Sequence, residues 1–333
     1  MEHLPALKLH RPATVEAAVA LFAGAPNPRY LAGGTDMVVN IRRGIEAPES
    51  LIDLAAIEGF DAIGEHGAGV TIGAGATLAA IAAHDRLHRD YGAVAEAAAS
   101  VAGPTHRAYA TLGGNLCLDT RCIYYNQSEW WRRSNAYCLK HRGEVCHVAP
   151  NGSFCFAAFS GDLAPALIVH EAEVEILGLG GARRIAVADL YGNDGMDHLR
   201  LARGELVVAA HLPPSTAGLP SAYAKSRVRG AIDFPLAGVA LALRSGGGMA
   251  EDLRVAVTAV DPHPHAIAEA GALVGRSIDE TWMSALRETV RAHTKPMRTT
   301  TTRPWYRRRV VGALAVKLAT RLGERGRSRP TSP

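Results

Sequence analysis

Apolar residues spaced three and four apart mark the first helix of the chain. The stretch ATVEAAVALFAG (13–24) keeps that period, with Thr14 placed as N-cap and Gly24 at C′. RYLAGGTDMVVNIRRG then reads as a short strand, a glycine turn at Gly33–Gly34 and a helix beginning near Thr35 and Asp36. Strands are expected over 50–54 and 70–72, and helices over 77–84 and 93–101. From Asn115 to about Phe156 both periods vanish in an aromatic, basic, cysteine-bearing stretch. A helix over 162–169 follows, and then strand patterns over 172–177, 184–187, 205–212, 221–227, 236–243 and 253–260. Helices over 265–274, 279–293 and 305–322 close the chain. In the last, Val310, Val311, Leu314, Leu318 and Leu322 share one stripe, which predicts docking against a core. The proline-rich turn PPSTAGLP (213–220) divides a first α+β part from a smaller part of strands followed by helices. The expected fold class is therefore α+β, without internal repeats.

Composition narrows the class. The 333 residues suffice for about two domains. With 48% hydrophobic and 20% charged residues, extensive disorder is excluded. No apolar run approaches the roughly 18 residues of a membrane span. The opening MEHLPALKLHRP has neither a basic leader nor an apolar core, so a cytoplasmic protein with no membrane partner is expected. The net charge of +4 comes from one end: residues 303–329 hold nine basic side chains and one acid, leaving −4 elsewhere. A basic tail suits nucleic acid. The apolar stripe instead favours a docked helix flanked by Arg307, Arg308 and Arg309 and ending in a frayed GERGRSRPTSP, with no nucleic-acid partner.

Cysteine usage is the anomaly. Cys117, Cys122, Cys138, Cys146 and Cys155 all fall within 39 consecutive positions. An odd count argues against a disulfide framework and for metal or redox chemistry. The intervals of 4, 15, 7 and 8 residues fit neither a zinc ribbon nor a ferredoxin run. Four thiolates among Arg121, Arg132, Arg133, Lys140, His141, Arg142 and His147 nevertheless suit an iron–sulfur cluster, whose negative charge such neighbours balance. Five cysteines allow one four-thiolate cluster and not two. His84 and His88, four apart, are half a metal site at most, and His263 and His265 lie in a loop.

Three glycine turns stand out: AGGTD (32–36), IGAGAT (72–77) and TLGGN (111–115). Glycines there let backbone N–H groups approach a phosphate, and two of the turns open helices. The second begins like a dinucleotide fingerprint, but Leu78 replaces its third glycine. Nucleophile elbows, Walker loops and zinc-protease signatures are absent from the sequence.

In combination, AGGTDMVVNIRRG, LIDLAAIEG, IGAGATLAAIA, TLGGNL, GDLAPAL and AYAKSRVRGAIDFPLAGVALAL resemble the flavoprotein subunits of molybdenum hydroxylases, the xanthine dehydrogenase and CO dehydrogenase class. The resemblance spans Pro12 to about Arg321 and implies a PCMH-type FAD-binding domain of two α/β subdomains over 1–216. A CO dehydrogenase flavoprotein-like α+β domain over 217–333 would follow. It implies FAD contacts at Ala32, Gly33, Gly34, Thr35 and Asp36, and at Val101, Thr111, Gly114 and Asn115. Asp162 matches an acidic flavin or ribose contact, and Lys225 a lysine near the isoalloxazine ring. The stretch GPTHRAYA departs from the usual Q-x-R-N-type sequence, which sets His106 and Arg107 apart from the contacts.

The insert at about 117–157 is similar to that of the flavin subunits of 4-hydroxybenzoyl-CoA reductases. That likeness implies one 4Fe-4S cluster on Cys122, Cys138, Cys146 and Cys155, with Cys117 spare. It also implies a molybdopterin-containing catalytic subunit and a 2Fe-2S subunit as partners. Electrons would pass from reduced ferredoxin to the 4Fe-4S cluster, FAD, 2Fe-2S and molybdenum, for reductive dehydroxylation to benzoyl-CoA. No catalytic residue is expected in this chain. The other reading is the flavin subunit of a related hydroxylase passing electrons outward to NAD or a quinone. Basic residues around the insert would suit an acidic ferredoxin.

Overall fold

The computed structural model describes residues 4–67 and 69–327 and folds them around three sheets. A small parallel sheet holds Lys8–His10, Ser50–Asp53 and Pro28–Leu31, in that spatial order. Helix Val15–Gly24 connects two of these strands, and the Thr14 hydroxyl accepts from the Ala17 amide at 3.1 Å to cap it. An antiparallel sheet follows in the order Ile63–His66, Gly69–Gly73, Leu206–Leu212, Glu173–Gly178 and Gly181–Ala186. The chain leaves this sheet after Gly73 and returns at Glu173, so the glycine turns and the cysteine stretch are one long excursion from it.

The third sheet runs His265–Ala266, Met249–Thr258, Ala237–Gly246 and Ser221–Ser226, all antiparallel. Residues 237–243 are buried without interruption because both faces of the strand are covered. Val239, Leu241 and Leu243 join the core of helices Glu280–Ala292 and Pro304–Arg327, whereas Ala240 and Ala242 join the larger core of the first part. Large side chains fill one interface and alanines the other, so the period of two survives as an alternation of size.

Those alanines make room for helix Leu163–Val169, buried at all seven positions. It packs on strands Ala237–Gly246 and Met249–Thr258 and on helices Gly92–Ser100 and Leu112–Leu116. At its start, Asn115 Oδ1 accepts from the Leu163 amide at 3.0 Å. Strand Ser221–Ser226 serves both ends through alternate residues. The Tyr223 hydroxyl donates to Asp162 Oδ1 at 2.7 Å, Lys225 Nζ lies 2.9 Å from the same oxygen, and Ser221 Oγ lies 2.9 Å from His170 Nε2.

The C-terminal stripe docks as expected, with Val311, Leu318 and Leu322 buried and Val310 and Leu314 packed at the margin. Of the three flanking arginines, Arg307 is fully buried. It donates to the carbonyls of Leu236, Met297 and Ala259 and to Thr299 Oγ1, joining the helix to two strand ends. The helix runs on through part of the expected frayed end to Arg327, and 328–333 lie outside the described residues.

Other expectations are corrected. Residues 265–274 form a two-residue strand and a 3-10 segment (Ala268–Leu273), because His265 pairs with Val257 and the Ile267 amide is claimed by the Val255 carbonyl. Helical structure after Thr77 breaks at His84 and Tyr91 into Leu78–Ala83, Asp85–Asp90 and Gly92–Ser100, so His84 and His88 do not share one helix face. The cysteine stretch contains a helix, Glu129–Ser134, capped by Ser128. Strands Lys8–His10 and Ile63–His66 are too short to show a period. Among the described residues, no helix is long and apolar enough to cross a membrane.

Burial at the domain junction has a consequence for acid stability. His170 is fully buried, edge-on to Tyr91 with ring centroids 5.1 Å apart, and desolvation pushes its imidazole down to about 4. An unfolded histidine titrates near 6.5, so between the two values the unfolded chain binds the extra proton and stability rises with pH. The full effect is about 3 kcal/mol, complete above pH ~6.5. Urea midpoints measured from pH 4.5 to 7.5 are expected to climb more steeply for the wild type than for His170→Gln. Parallel curves would show that His170 does not carry this dependence.

Candidate functional site

The three glycine turns meet. Turn 32–36 follows strand Pro28–Leu31, an edge of the parallel sheet, and crosses the backbone at Tyr109. A Cβ on Gly33 would stand 1.8 Å from the Tyr109 carbonyl oxygen, so only glycine fits there, and Gly34 has φ +69°. The turn after Gly73 bonds to the third: the Gly113 amide donates to Ala74 O at 2.8 Å and Leu112 N to Ala76 O at 2.9 Å. Thr111 Oγ1 accepts from the Gly114 amide at 3.1 Å, and a Cβ on Gly114 would face Ala32 at 4.0 Å. Ala32, Gly33, Gly34 and Thr35 are half-buried beside Thr111 and Gly114. Val101 ends helix Gly92–Ser100, where its carbonyl accepts from Arg107 at 2.8 Å.

Two of these glycines thus have packing reasons that precede any ligand. The helix after the first turn, Met37–Arg42, is also short, and Asp36 does not cap it. Asp36 instead accepts from Asn40 Nδ2 at 2.9 Å and pairs with Arg121. Asn115 accepts from the first amide of the buried helix, while Asp162 and Lys225, each with only 4% of its side chain exposed, form an ion pair in which the ammonium makes no hydrogen bond.

Beyond Asn115 the insert forms a lobe with its own small core of Ile45, Cys122, Tyr125, Cys138, Cys155 and Ala157. Cys122, Cys138, Cys146 and Cys155 are all buried and line one pocket with Tyr124, Lys140 and His147. Burial pushes the Cys122 thiol up to about 12, aided by the other three sulfurs, and Cys155 to about 11. Lys140 opposes this at Cys155 and Cys138. Cys117 packs elsewhere, against the main core near Tyr191, and desolvation takes its thiol to about 12. Among the described residues, no three His, Cys, Asp or Glu side chains are grouped to chelate a single ion. Four thiols nevertheless surround one pocket.

Two arginines fasten the lobe. Arg132, with no exposed side-chain surface, donates to the carbonyls of Gly44, Arg43 and Gln127 and to Glu129 Oε2. Arg121 pairs with Asp36 and stacks on Phe234, its carbon 4.3 Å from the ring centroid. Lys140 is 6% exposed and held by Asp119, Thr120 and the Gly195 carbonyl. Of the five basic groups expected to attract a ferredoxin, three are therefore committed inside the fold. Only Arg133 and Arg142 are well exposed (73% and 63%), and both lie within 4 Å of Glu129. Sequence reasoning missed Tyr109 and the internal use of Arg121, Arg132 and Lys140, because no spacing reports a partner tens of residues away.

Residues 5–215 match the family described as FAD binding domain in molybdopterin dehydrogenase, and 221–322 match the CO dehydrogenase flavoprotein C-terminal domain. The chain belongs to the molybdenum hydroxylase FAD-binding subunit family. The aldehyde oxidoreductase FAD-binding subunit PaoB of Escherichia coli K12 is 35% identical over 232 residues, 67% of this chain and 72% of that one. The carbon monoxide dehydrogenase medium chain of Afipia carboxidovorans is 27% identical over 322 residues, covering 96% and 97%. A crystal structure of the Cu,Mo-CO dehydrogenase superposes with a TM-score of 0.80 at 25% identity, over 97% of this chain and 99% of that chain. The protein is thus an FAD-binding oxidoreductase subunit of mixed α/β architecture.

For a member of this family, the glycine turns give a direct test. Gly33→Ala is expected to destabilise the chain by about 2 kcal/mol or more, since the Tyr109 backbone must move. Gly34→Ala is expected to cost about 1 kcal/mol for its positive φ. Both should lower the flavin bound per chain after purification, read from absorbance and urea unfolding. Full flavin content in Gly33→Ala would show that the turn is not part of the cofactor site.

Proposed function

We propose that this chain is the flavin and iron–sulfur electron-transfer subunit of a molybdenum enzyme of the 4-hydroxybenzoyl-CoA reductase type. The observation that carries the reading is the gathering of Cys122, Cys138, Cys146 and Cys155 around one buried pocket, in a lobe fastened to the flavin turn. FAD exchanges one or two electrons and so links one-electron carriers to two-electron chemistry. The backbone of Ala32, Gly33, Gly34, Thr35 and Asp36 would hold it from one side, with Val101, Thr111, Gly114 and Asn115 on the other. Asp162, as a flavin or ribose contact, and Lys225, beside the isoalloxazine ring, would complete the site from the junction where they pair. The four pocket cysteines would hold one 4Fe-4S cluster, and Cys117, packed in the main core, takes no part.

The names of the relatives, a medium chain and FAD-binding subunits, support assembly with a molybdopterin-containing catalytic subunit and a 2Fe-2S subunit. In the proposed reaction, two electrons from reduced ferredoxin and two protons remove the phenolic hydroxyl of 4-hydroxybenzoyl-CoA as water, leaving benzoyl-CoA. The alternative, a hydroxylase subunit sending electrons outward to NAD or a quinone, gives the thiol pocket no use.

Because the Cys122 and Cys155 thiols are protonated at neutral pH when free, metal binding must displace protons, and cluster assembly should improve as pH rises. Anaerobically isolated chain is expected to hold about four irons and four sulfides. Serine at Cys122, Cys138, Cys146 or Cys155 should lower that content, and Cys117→Ser should leave it intact. Stoichiometric zinc in iron-replete material would overturn the assignment.

The assembled complex should accept electrons from ferredoxin or a viologen. With only Arg133 and Arg142 of those five basic groups well exposed, and both beside Glu129, the ferredoxin rate should fall only mildly as ionic strength rises. NADH-driven turnover undiminished in Cys146→Ser would favour the outward-flow alternative.

A further inference from the structure

Arg121 belongs to the cysteine insert by sequence, yet its side chain leaves the insert for the flavin turn. Its backbone is fixed first: Arg121 and Ala158 exchange both amide–carbonyl hydrogen bonds, at 2.7 and 2.8 Å, which closes the base of the lobe. From there the guanidinium reaches Asp36 and lies on the Phe234 ring, with 13% of the side chain exposed.

The turn it reaches has an electrostatic difficulty of its own. A glycine turn suited to a diphosphate carries at position 36 a carboxylate, which repels that same ligand. A cation on the carboxylate removes the repulsion. We infer that Arg121 is a positioning residue of the flavin site lent by the insert: it neutralises Asp36, so that the turn takes the diphosphate of the bound dinucleotide. The inference rests on flavin binding at the turn and not on a cluster in the pocket. It makes the insert part of the flavin site as well as a carrier of thiols.

The test uses the full chain stripped of flavin, with FAD and ADP as ligands. Dissociation constants come from flavin fluorescence for FAD and from displacement of FAD for ADP. Arg121→Gln is expected to weaken both ligands by about tenfold, because the Asp36 charge is then left facing the phosphates. Arg121→Lys should recover part of the loss. The rise in Tm caused by FAD should shrink in Arg121→Gln, whereas a purely structural role lowers Tm equally with and without ligand.

Wild-type FAD affinity in Arg121→Gln would overturn the inference. So would ADP binding that Arg121→Gln leaves unchanged. Iron measured on the same samples judges the cluster separately: an iron-free wild-type chain would sink the 4Fe-4S reading while the FAD and ADP constants still decide the role of Arg121.

Discussion

The structure turns on one short helix that never meets solvent. Leu163–Val169 is buried along its whole length, so the polar groups at its two ends must be met by protein. Asn115 serves the first amide. Asp162, just before the helix, has Tyr223 and Lys225, and His170, just after it, has Ser221. Three alternate residues of a single edge strand therefore hold the side chains that flank a helix belonging to the other half of the chain. Removing one partner leaves an uncompensated buried charge or donor, a far larger loss than a surface contact. The two halves meet through this satisfaction of buried polar groups as much as through apolar area.

This requirement changes how the family motifs are read. Asn115, Asp162 and Lys225 lie in motifs that resemblance ties to the flavin, and the structure gives each a bond within the protein. The same holds for Gly33, whose missing side chain admits the Tyr109 carbonyl. A motif residue can keep its place because it shapes the cradle, without touching what the cradle holds. Asp36 differs: its carboxylate sits in the turn itself and is paired from outside by the insert.

What the sequence discloses follows the same physics. Helices with a strong stripe, such as Pro304–Arg327, and strands with one polar face were legible because the period is written in neighbouring residues. Strand Ala237–Gly246 was legible as an apolar run, but its two unlike faces were not, since alanine against leucine carries no polar contrast. The helix expected over 265–274 failed because a long-range pairing of His265 with Val257 outweighed local preference. The glycine turns were visible one by one, but not the contact of Gly33 with Tyr109 that brings them together. The cysteines announced redox or metal chemistry by density alone. That Arg121, Arg132 and Lys140 face inward, so that the surface left to a charged partner is small, depends on carbonyls and carboxylates up to 89 positions distant.

The insert shows why such inward use of charge is necessary. Its core is five of its own residues plus Ile45 from outside it, too few to hold a lobe of about forty residues by apolar burial. Burying thiols in place of larger apolar groups weakens that core further unless they gain ligands. Docking supplies what the core lacks: Arg132 reaches the carbonyls that end helix Met37–Arg42, Arg121 takes the carboxylate at its start, and Lys140 joins the lobe to the Gly195 loop. The first two anchors grip the two ends of the helix that follows the glycine turn at 32–36. A lobe held in this way cannot shift without moving that turn, so its attachment and the geometry of the turn are set by the same bonds.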